Sequence, residues 1–496
     1  MFLRACSRRA FSPTSCSLRT WPCTAMPLRA KIMRPFSTME QSDDPLLQPQ
    51  PEDDPDDVLF DKNYGVRTIE LNRPKKLNSL NGSMARKIIP RLQEWSKSQM
   101  TNVVIVKGKG RALCAGGDVA ALAQQNSEGP EGQQKSKDYF ALEYKLDHLI
   151  ATYSKPYMSF MDGITMGGGV GLSIHAPFRI ATENTVFAMP ETTIGFFPDV
   201  GASFFLPKMD GGMGMYLALT SQTLNGWDCL YHGVATHYIN SAQLPDLESR
   251  LGELIFKDYA SNDERYRIIN NTVEEYVTES ELPKPNQSGY IRFAIDTYFG
   301  PKMGSVAEIM DALRRVADPS SKFHPDIVQW AKGTLFTMEE RSPTSLAVTF
   351  AQLRFSQRWS IAETFEREHS IASRFMEHPD FVEGVNARLV RKTKERPSWQ
   401  PSQIADLAEQ DIAAFFKFPQ QPELTLLNTA GQDYSEYPHA WLGLPSEKTI
   451  MEERKKHDSD KQCLRAVLAS TNYKFGVKEK VLEVLERRNL LPEEER

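Results

Sequence analysis

A glycine-rich stretch followed by two carboxylates is the feature that most restricts what this chain can fold into. Residues 163–171 read Gly-Ile-Thr-Met-Gly-Gly-Gly-Val-Gly. Glu191 follows between Pro190 and Thr192, and Asp199 comes eight residues later. Glycine lets the backbone approach a ligand closely because it carries no Cβ. Backbone N–H groups beside two carboxylates could stabilise an oxyanion and perform acid–base or nucleophilic chemistry on an acyl group.

Hydrophobic spacing predicts that this stretch lies in an α/β fold. Short apolar runs predict strands over residues 66–71, 103–106, 157–161, 178–181 and 186–189. Apolar residues at helical spacing predict helices over residues 84–95, 139–150 and 168–175. Strands and helices that alternate along a chain indicate an α/β architecture. From about residue 307 the pattern becomes helical, which predicts a C-terminal helical region.

Two further blocks lie upstream at fixed spacing. Residues 71–78 read Leu-Asn-Arg-Pro-Lys-Lys-Leu-Asn, and residues 114–118 read Cys-Ala-Gly-Gly-Asp. With the glycine stretch and the two carboxylates, these blocks resemble the crotonase (enoyl-CoA hydratase/isomerase) superfamily. Within it the chain is most similar to the 3-hydroxyisobutyryl-CoA hydrolases. The resemblance implies a crotonase-like spiral β-β-α core, and hydrolysis of 3-hydroxyisobutyryl-CoA to 3-hydroxyisobutyrate and CoA in valine catabolism.

The same resemblance assigns roles to individual residues. Gly117 and Gly168 would supply the two oxyanion-hole amides, and Glu191 and Asp199 would be the catalytic acids. Substrate contacts would come from Glu143, Gly168, Glu191 and Asp199. Glu191 would either attack the thioester carbonyl or activate water, and the sequence leaves both routes open. Asp199 would hold the 3-hydroxyl group or orient Glu191. No metal and no cofactor is expected, because coenzyme A is part of the substrate.

Two alternatives remain open at this stage. Enoyl-CoA hydration or isomerisation is one, but hydratases of the superfamily carry a glutamate at the position of Gly171. The other is a crotonase-fold component of a mitochondrial assembly, recruited through a C-terminal extension. Two other reactive side chains are interpreted as packing groups: Cys114, which has no histidine near it in sequence, and His175, which ends the glycine helix.

Charge patterning predicts the domain organisation. The first acidic residue is Glu40, and the basic, hydroxyl-rich residues 1–36 predict a transit peptide and a mitochondrial matrix location. Net charge is -5, so nucleic-acid binding is not expected. The chain shows no apolar run near the ~20 residues that span a bilayer. The predicted segments are an acidic disordered linker (37–57), a crotonase core (58–300), a helical region of the hydrolase (301–418) and an extension of unknown role (419–496).

Overall fold

The chain divides into two compact units, residues 1–48 and 49–496. The computed structural model describes residues 44–257, 261–277, 282–427 and 433–488. In the first unit the described residues contain a 3₁₀ turn at Pro45–Leu47. The predicted transit peptide, residues 1–36, lies outside the described residues and stays a prediction.

Strands of the second unit form two sheets. The strands of the described ranges are β1 (Val58–Asn63), β2 (Val66–Leu71), β3 (Val103–Gly108), β4 (Ala112–Ala115), β5 (Tyr157–Met161), β6 (Ile164–Met166), β7 (Phe178–Ala181), β8 (Val186–Ala188), β9 (Leu224–Asn225) and β10 (His237–Tyr238). One sheet has the order β1-β2-β3-β5-β7-β10, and the other has the order β4-β6-β8-β9. β1 with β2 and β8 with β9 pair antiparallel, and the other neighbours pair parallel.

Helices connect these strands and then continue alone to the C-terminal part of the chain. Those of the described ranges are α1 (Gly82–Lys97), α2 (Val119–Asn126), α3 (Pro130–Ala151), α4 (Gly168–Ile174), α5 (Ala202–Phe205), α6 (Met213–Thr220), α7 (Gly226–Tyr231), α8 (Leu244–Gly252), α9 (Asn262–Glu274), α10 (Gly289–Tyr298), α11 (Val306–Ala317), α12 (Pro325–Glu339), α13 (Pro343–Phe355), α14 (Ile361–Phe375), α15 (Pro379–Val385), α16 (Glu409–Phe415), α17 (Glu447–Arg454), α18 (Asp460–Ser470) and α19 (Val477–Arg488).

From β3 to β8, consecutive strands alternate between the two sheets, which produces a spiral. β3, β5 and β7 join the larger sheet, and their successors β4, β6 and β8 join the smaller one. α2 and α3 follow the first of these strand pairs, and α4 follows the second. The central strand β3 has four consecutive buried apolar residues because a central parallel strand is covered on both faces. The predicted α/β spiral β-β-α core with a C-terminal helical region is confirmed.

The acidic stretch before β1 differs from its prediction. Residues 49–57 belong to the linker predicted to be disordered. In the structure Asp53 pairs with Arg86 and Asp57 pairs with Lys87, and the two basic residues lie on α1. The side chain of Asp57 is fully buried in this contact. Distant basic partners therefore hold this stretch along α1, which local composition could not reveal.

The extension, residues 419–496, has a small core of its own. The apolar face of α19 is buried against α17 and α18, in a cluster of Ile450, Cys463, Val467, Val477, Val481, Val484 and Leu485. Lys480 on the same helix reaches the rest of the chain, where its Nζ donates to Asp210 Oδ2 (2.8 Å) and to the carbonyl of Tyr231 (2.9 Å). The apolar face of α19 is therefore covered by the chain itself.

Candidate active site

Two glycine backbones meet where β4 and α4 approach each other. Gly168 opens α4, and a Cβ placed on it would stand 3.5 Å from the amide nitrogen of Gly117. Just after β4, the amide of Leu80 donates to the carbonyl of Gly116, and the carbonyl of Leu80 accepts from the amide of Asp118. The amide of Gly117, which lies between them, takes no part in this backbone pairing. The structure thus brings together the two residues predicted as the oxyanion hole.

Glu143 lies against this glycine pair. It projects from α3 and is 2% exposed. A Cβ on Gly168 would displace Oε1 of Glu143, so the close approach of this carboxyl depends on glycine at this position. The predicted contact residue therefore borders the predicted oxyanion hole.

Glu191 reaches the same glycine loop from the other side. Pro190 ends the segment after β8, and Glu191 begins the 3₁₀ turn Glu191–Ile194. Its Oε1 lies 3.2 Å from the point where a Cβ on Gly167 would stand, and the residue is 5% exposed. A buried carboxyl beside the oxyanion amides can act on a carbonyl group held there.

Asp199 sits on a constrained loop that follows this turn. Its Oδ2 accepts a 2.6 Å hydrogen bond from the hydroxyl of Tyr144, the neighbour of Glu143 on α3. The next residue, Val200, has a φ of 52°, a conformation that β-branched residues rarely adopt. Such strain persists only where surrounding contacts hold it, and it is often found at functional sites.

The three carboxyls perturb one another. Burial and the charge of Asp199 raise the pKa of both Glu143 and Glu191 well above the usual range. Burial also raises the pKa of Asp199 to about 7, while the hydrogen bond from Tyr144 opposes the rise. Among the described residues none of the three carboxyls has an ion-pair partner. Buried acids without cations are typical of functional sites.

The structure adds two buried acids that the sequence analysis missed. Asp147 is one turn beyond Glu143 on α3, and its carboxyl packs against Gly171, with Cγ 2.7 Å from where a Cβ would stand. Glu368 on α14 accepts from the amides of Gly201 (2.7 Å) and Ser203 (2.8 Å). The sequence did contain a signal for Asp147. It lies four residues after Glu143 on a predicted helix, and residues four apart share one helix face.

The other reactive side chains have structural roles. Burial raises the pKa of Cys114 to about 12, so its thiolate does not form at neutral pH. Burial lowers the pKa of His175 to about 4, and both ring nitrogens are hydrogen-bonded. Within the described ranges, no group of three or more His, Cys, Asp or Glu side chains could hold a metal ion.

Together, the two backbone amides and the three buried carboxyls form a candidate site within a crotonase-type spiral core. The chain belongs to the enoyl-CoA hydratase/isomerase family, whose model matches residues 66–416.

Three known proteins illustrate the similarity. A Neurospora crassa protein named small ribosomal subunit protein mS47 is 51% identical over 474 residues, which cover 94% of this chain and 92% of that protein. The mitochondrial 3-hydroxyisobutyryl-CoA hydrolase of Danio rerio is 41% identical over 373 residues, covering 75% of this chain and 92% of the hydrolase. The crystal structure of a carnitinyl-CoA dehydratase from Mycobacterium thermoresistibile matches 74% of this chain and 98% of its own, with a TM-score of 0.63 and 32% identity.

The relatives also bear on where the protein resides. The similar hydrolases of Danio rerio, Gallus gallus and Rattus norvegicus are named as mitochondrial, which confirms the mitochondrial location predicted from the N-terminal sequence. No helix in the described parts of the chain is long and apolar enough to cross a membrane.

Proposed function

We propose that the core of this protein hydrolyses the thioester of 3-hydroxyisobutyryl-CoA, a step of valine catabolism. The observation that carries the proposal is the placement of Glu191 against the glycine loop that carries Gly168. Asp199 accepts a hydrogen bond from Tyr144, which neighbours Glu143 on α3. The similarity to 3-hydroxyisobutyryl-CoA hydrolases supports the choice of substrate. The reaction consumes water and needs no cofactor, since coenzyme A is part of the substrate.

The proposed chemistry starts at the thioester carbonyl. Its oxygen accepts from the amides of Gly117 and Gly168, which stabilise the negative charge that develops during attack. In the general-base route, Glu191 takes a proton from water as the oxygen attacks the carbonyl carbon. The C–S bond then breaks, and the thiolate of CoA takes the proton back from Glu191.

A nucleophilic route uses the same residue differently. The carboxylate of Glu191 attacks the carbonyl, releases the thiolate and forms a mixed anhydride, which water then hydrolyses. Both routes require ionised Glu191, and burial with the charge of Asp199 raises its pKa, so turnover should increase as pH rises. In either route Asp199 holds the 3-hydroxyl group of the acyl chain, and Glu143 contacts the acyl group beside Gly168.

The test is release of free thiol from a panel of CoA esters by the purified mature protein. We expect hydrolysis of 3-hydroxyisobutyryl-CoA, unchanged after thorough chelation. Faster hydration of crotonyl-CoA than hydrolysis of the hydroxyacyl ester would contradict the proposal. This comparison matters because Asp147 places a carboxyl against Gly171, where hydratases of the superfamily carry a glutamate. Asp147→Asn would identify hydration that depends on this carboxyl.

We also propose a second role, as a component of the small subunit of the mitochondrial ribosome. The specific support is the Neurospora crassa small ribosomal subunit protein: an alignment over 94% of this chain necessarily includes most of the extension. The match to the fish hydrolase covers 75%. A retained acyl-CoA site and a place in an assembly are compatible, because the site is buried and the assembly would use the surface.

Sedimentation tests this second role. Mitochondria that express the tagged chain are lysed and separated on a sucrose gradient, and the chain should migrate with the small ribosomal subunit. Glu191→Gln should migrate identically, because that change leaves the surface intact. Recovery of the wild-type chain only in the free-protein fractions would contradict the ribosomal role and leave the hydrolase proposal untouched.

A further inference from the structure

Two hydrogen bonds connect the extension to the loop that carries Asp199. The hydroxyl of Tyr437 lies 3.0 Å from His175 Nδ1, and His175 Nε2 lies 2.9 Å from the carbonyl oxygen of Val200. A carbonyl only accepts, so Nε2 carries the ring hydrogen and Nδ1 accepts from Tyr437. Val200 directly follows Asp199, so this relay ends beside a carboxyl of the proposed site.

The loop needs such contacts because its backbone is strained at Val200, where φ is 52°. Neighbouring helices hold the loop on either side of this residue. Gln352 donates to the carbonyl of Pro198 (2.9 Å), and Glu368 accepts from the amide of Gly201 (2.7 Å). His175 supplies the hydrogen bond at Val200 itself.

The ring of Tyr437 is fixed by packing as well as by its hydroxyl. It lies edge-on to Phe204, with centroids 4.9 Å apart, and stacks on His175 at 6.2 Å. Tyr434 lies edge-on to the same phenylalanine at 5.5 Å. The hydroxyl of Tyr434, however, donates to the carbonyl of Ala151 (3.1 Å), away from the loop. The two tyrosines are therefore a matched pair that differ in what their hydroxyls hold.

We infer that Tyr437 and His175 are positioning residues for Asp199, so that the extension takes part in shaping the acyl-CoA site. The inference rests on the proposed hydrolase function. An assembly that holds the extension would thereby also hold the loop of Asp199.

Full-length wild type, Tyr437→Phe and Tyr434→Phe test the inference. Tyr437→Phe should lower kcat on 3-hydroxyisobutyryl-CoA by about three- to tenfold, the range of one lost hydrogen bond, with KM little changed. Tyr434→Phe should keep wild-type kcat. Hydrogen exchange over residues 198–203 should accelerate in Tyr437→Phe and stay at the wild-type rate in Tyr434→Phe.

The hydrogen-exchange measurement does not depend on activity. It therefore tests the positioning role of Tyr437 separately from the proposed hydrolase function. If the wild type fails to hydrolyse the thioester, the hydrolase proposal falls, and exchange alone decides whether Tyr437 holds the loop. Equal kcat and equal exchange in the two tyrosine variants would overturn the inference. Equal exchange with a selective loss of kcat would overturn the loop-holding explanation of that loss.

Discussion

Two regions of this molecule hold clusters of acids in opposite surroundings. In the site, Glu143 and Glu191 face other carboxyls, and burial together with like charge raises their pKa values. At the junction between the extension and the rest of the chain, the acids face cations. There the charges of Lys480 and Arg292 lower the pKa of Asp210 although burial opposes the shift.

The junction is an ionic network between elements far apart in sequence. Arg292 on α10 is fully buried and pairs with Asp296 (3.0 Å) and with Glu447 of the extension (2.9 Å). Arg487 on α19 pairs with the same two acids, at 3.0 Å and 2.6 Å. Paired charges of this kind favour one arrangement of the chain. The acids of the site have no such cation beside them, which is typical of a functional site.

Removing the central carboxyl of the site should give the largest effect. Glu191→Gln keeps the side-chain shape and loses its basicity and most of its nucleophilicity, so kcat should fall by about 10²-fold or more. Thioester binding and thermal stability should persist. Steady-state thiol release and a melting curve give both quantities. A variant with near wild-type turnover would remove Glu191 from the mechanism.

Removing the central cation of the junction should act on stability instead. Arg292→Leu leaves Asp296 and Glu447 short of one buried partner, and the free energy of unfolding should fall by about 3–5 kcal/mol. Urea unfolding measures the loss, and turnover at low temperature should be kept. Arg314→Leu is the control: this exposed arginine pairs with Asp311 at 2.7 Å and should contribute less than about 1 kcal/mol.

Stability should also depend on pH in opposite senses in the two regions. The pKa of Asp199 is 3.8 in the unfolded chain and about 7 in the folded protein. Its contribution to stability is therefore fully present below pH 3.8 and is lost as pH rises through about 7. For Glu274, burial alone would raise the pKa. The hydrogen bond from His237 and the charge of Lys474 outweigh burial and lower this pKa from 4.5 to about 2. The contribution of Glu274 to stability is therefore fully present above pH 4.5 and is lost as pH falls through about 2.

Urea unfolding across a pH series checks this prediction. Asp199→Asn should flatten the loss of stability toward neutral pH, and Glu274→Gln should flatten the loss toward acid. Parallel curves for wild type and Asp199→Asn between acid and neutral pH would show that Asp199 does not titrate as stated.

The sequence was most informative where chemistry is local. The family resemblance, carried by short local motifs, pointed to Gly117, Gly168, Glu143, Glu191 and Asp199. The structure brings these residues into one buried region, and their roles remain predictions. Strand and helix periodicity located the elements that carry them. The spiral arrangement itself came from the family resemblance, because periodicity does not state which sheet a strand joins.

Contacts between residues far apart in the chain could not be predicted from the sequence. Arg292 and Glu447 are separated by many elements, and each reads alone as an ordinary surface charge. The same reason explains Asp57, which looked like part of a solvated acidic run until Lys87 appeared as its partner. Glu368 reads as one more acid on a helix, and only the fold shows that it accepts from the amides of the Asp199 loop.

The smallest predicted effects come from two tyrosines that each donate to a buried carboxyl, one per region. Tyr144 donates to Asp199 in the site, and Tyr231 donates to Glu483 at the junction. Tyr231→Phe should cost about 1 kcal/mol of unfolding free energy with unchanged turnover, because Glu483 keeps its partner Arg487. Tyr144→Phe removes the hydrogen bond that opposes the rise in the pKa of Asp199, so Asp199 should lose its proton at higher pH, and the pH-dependent loss of stability should shift the same way. Urea unfolding of both variants across a pH series separates the cases. An equal loss of stability with no shift along the pH axis in either variant would contradict the contrast between the two regions.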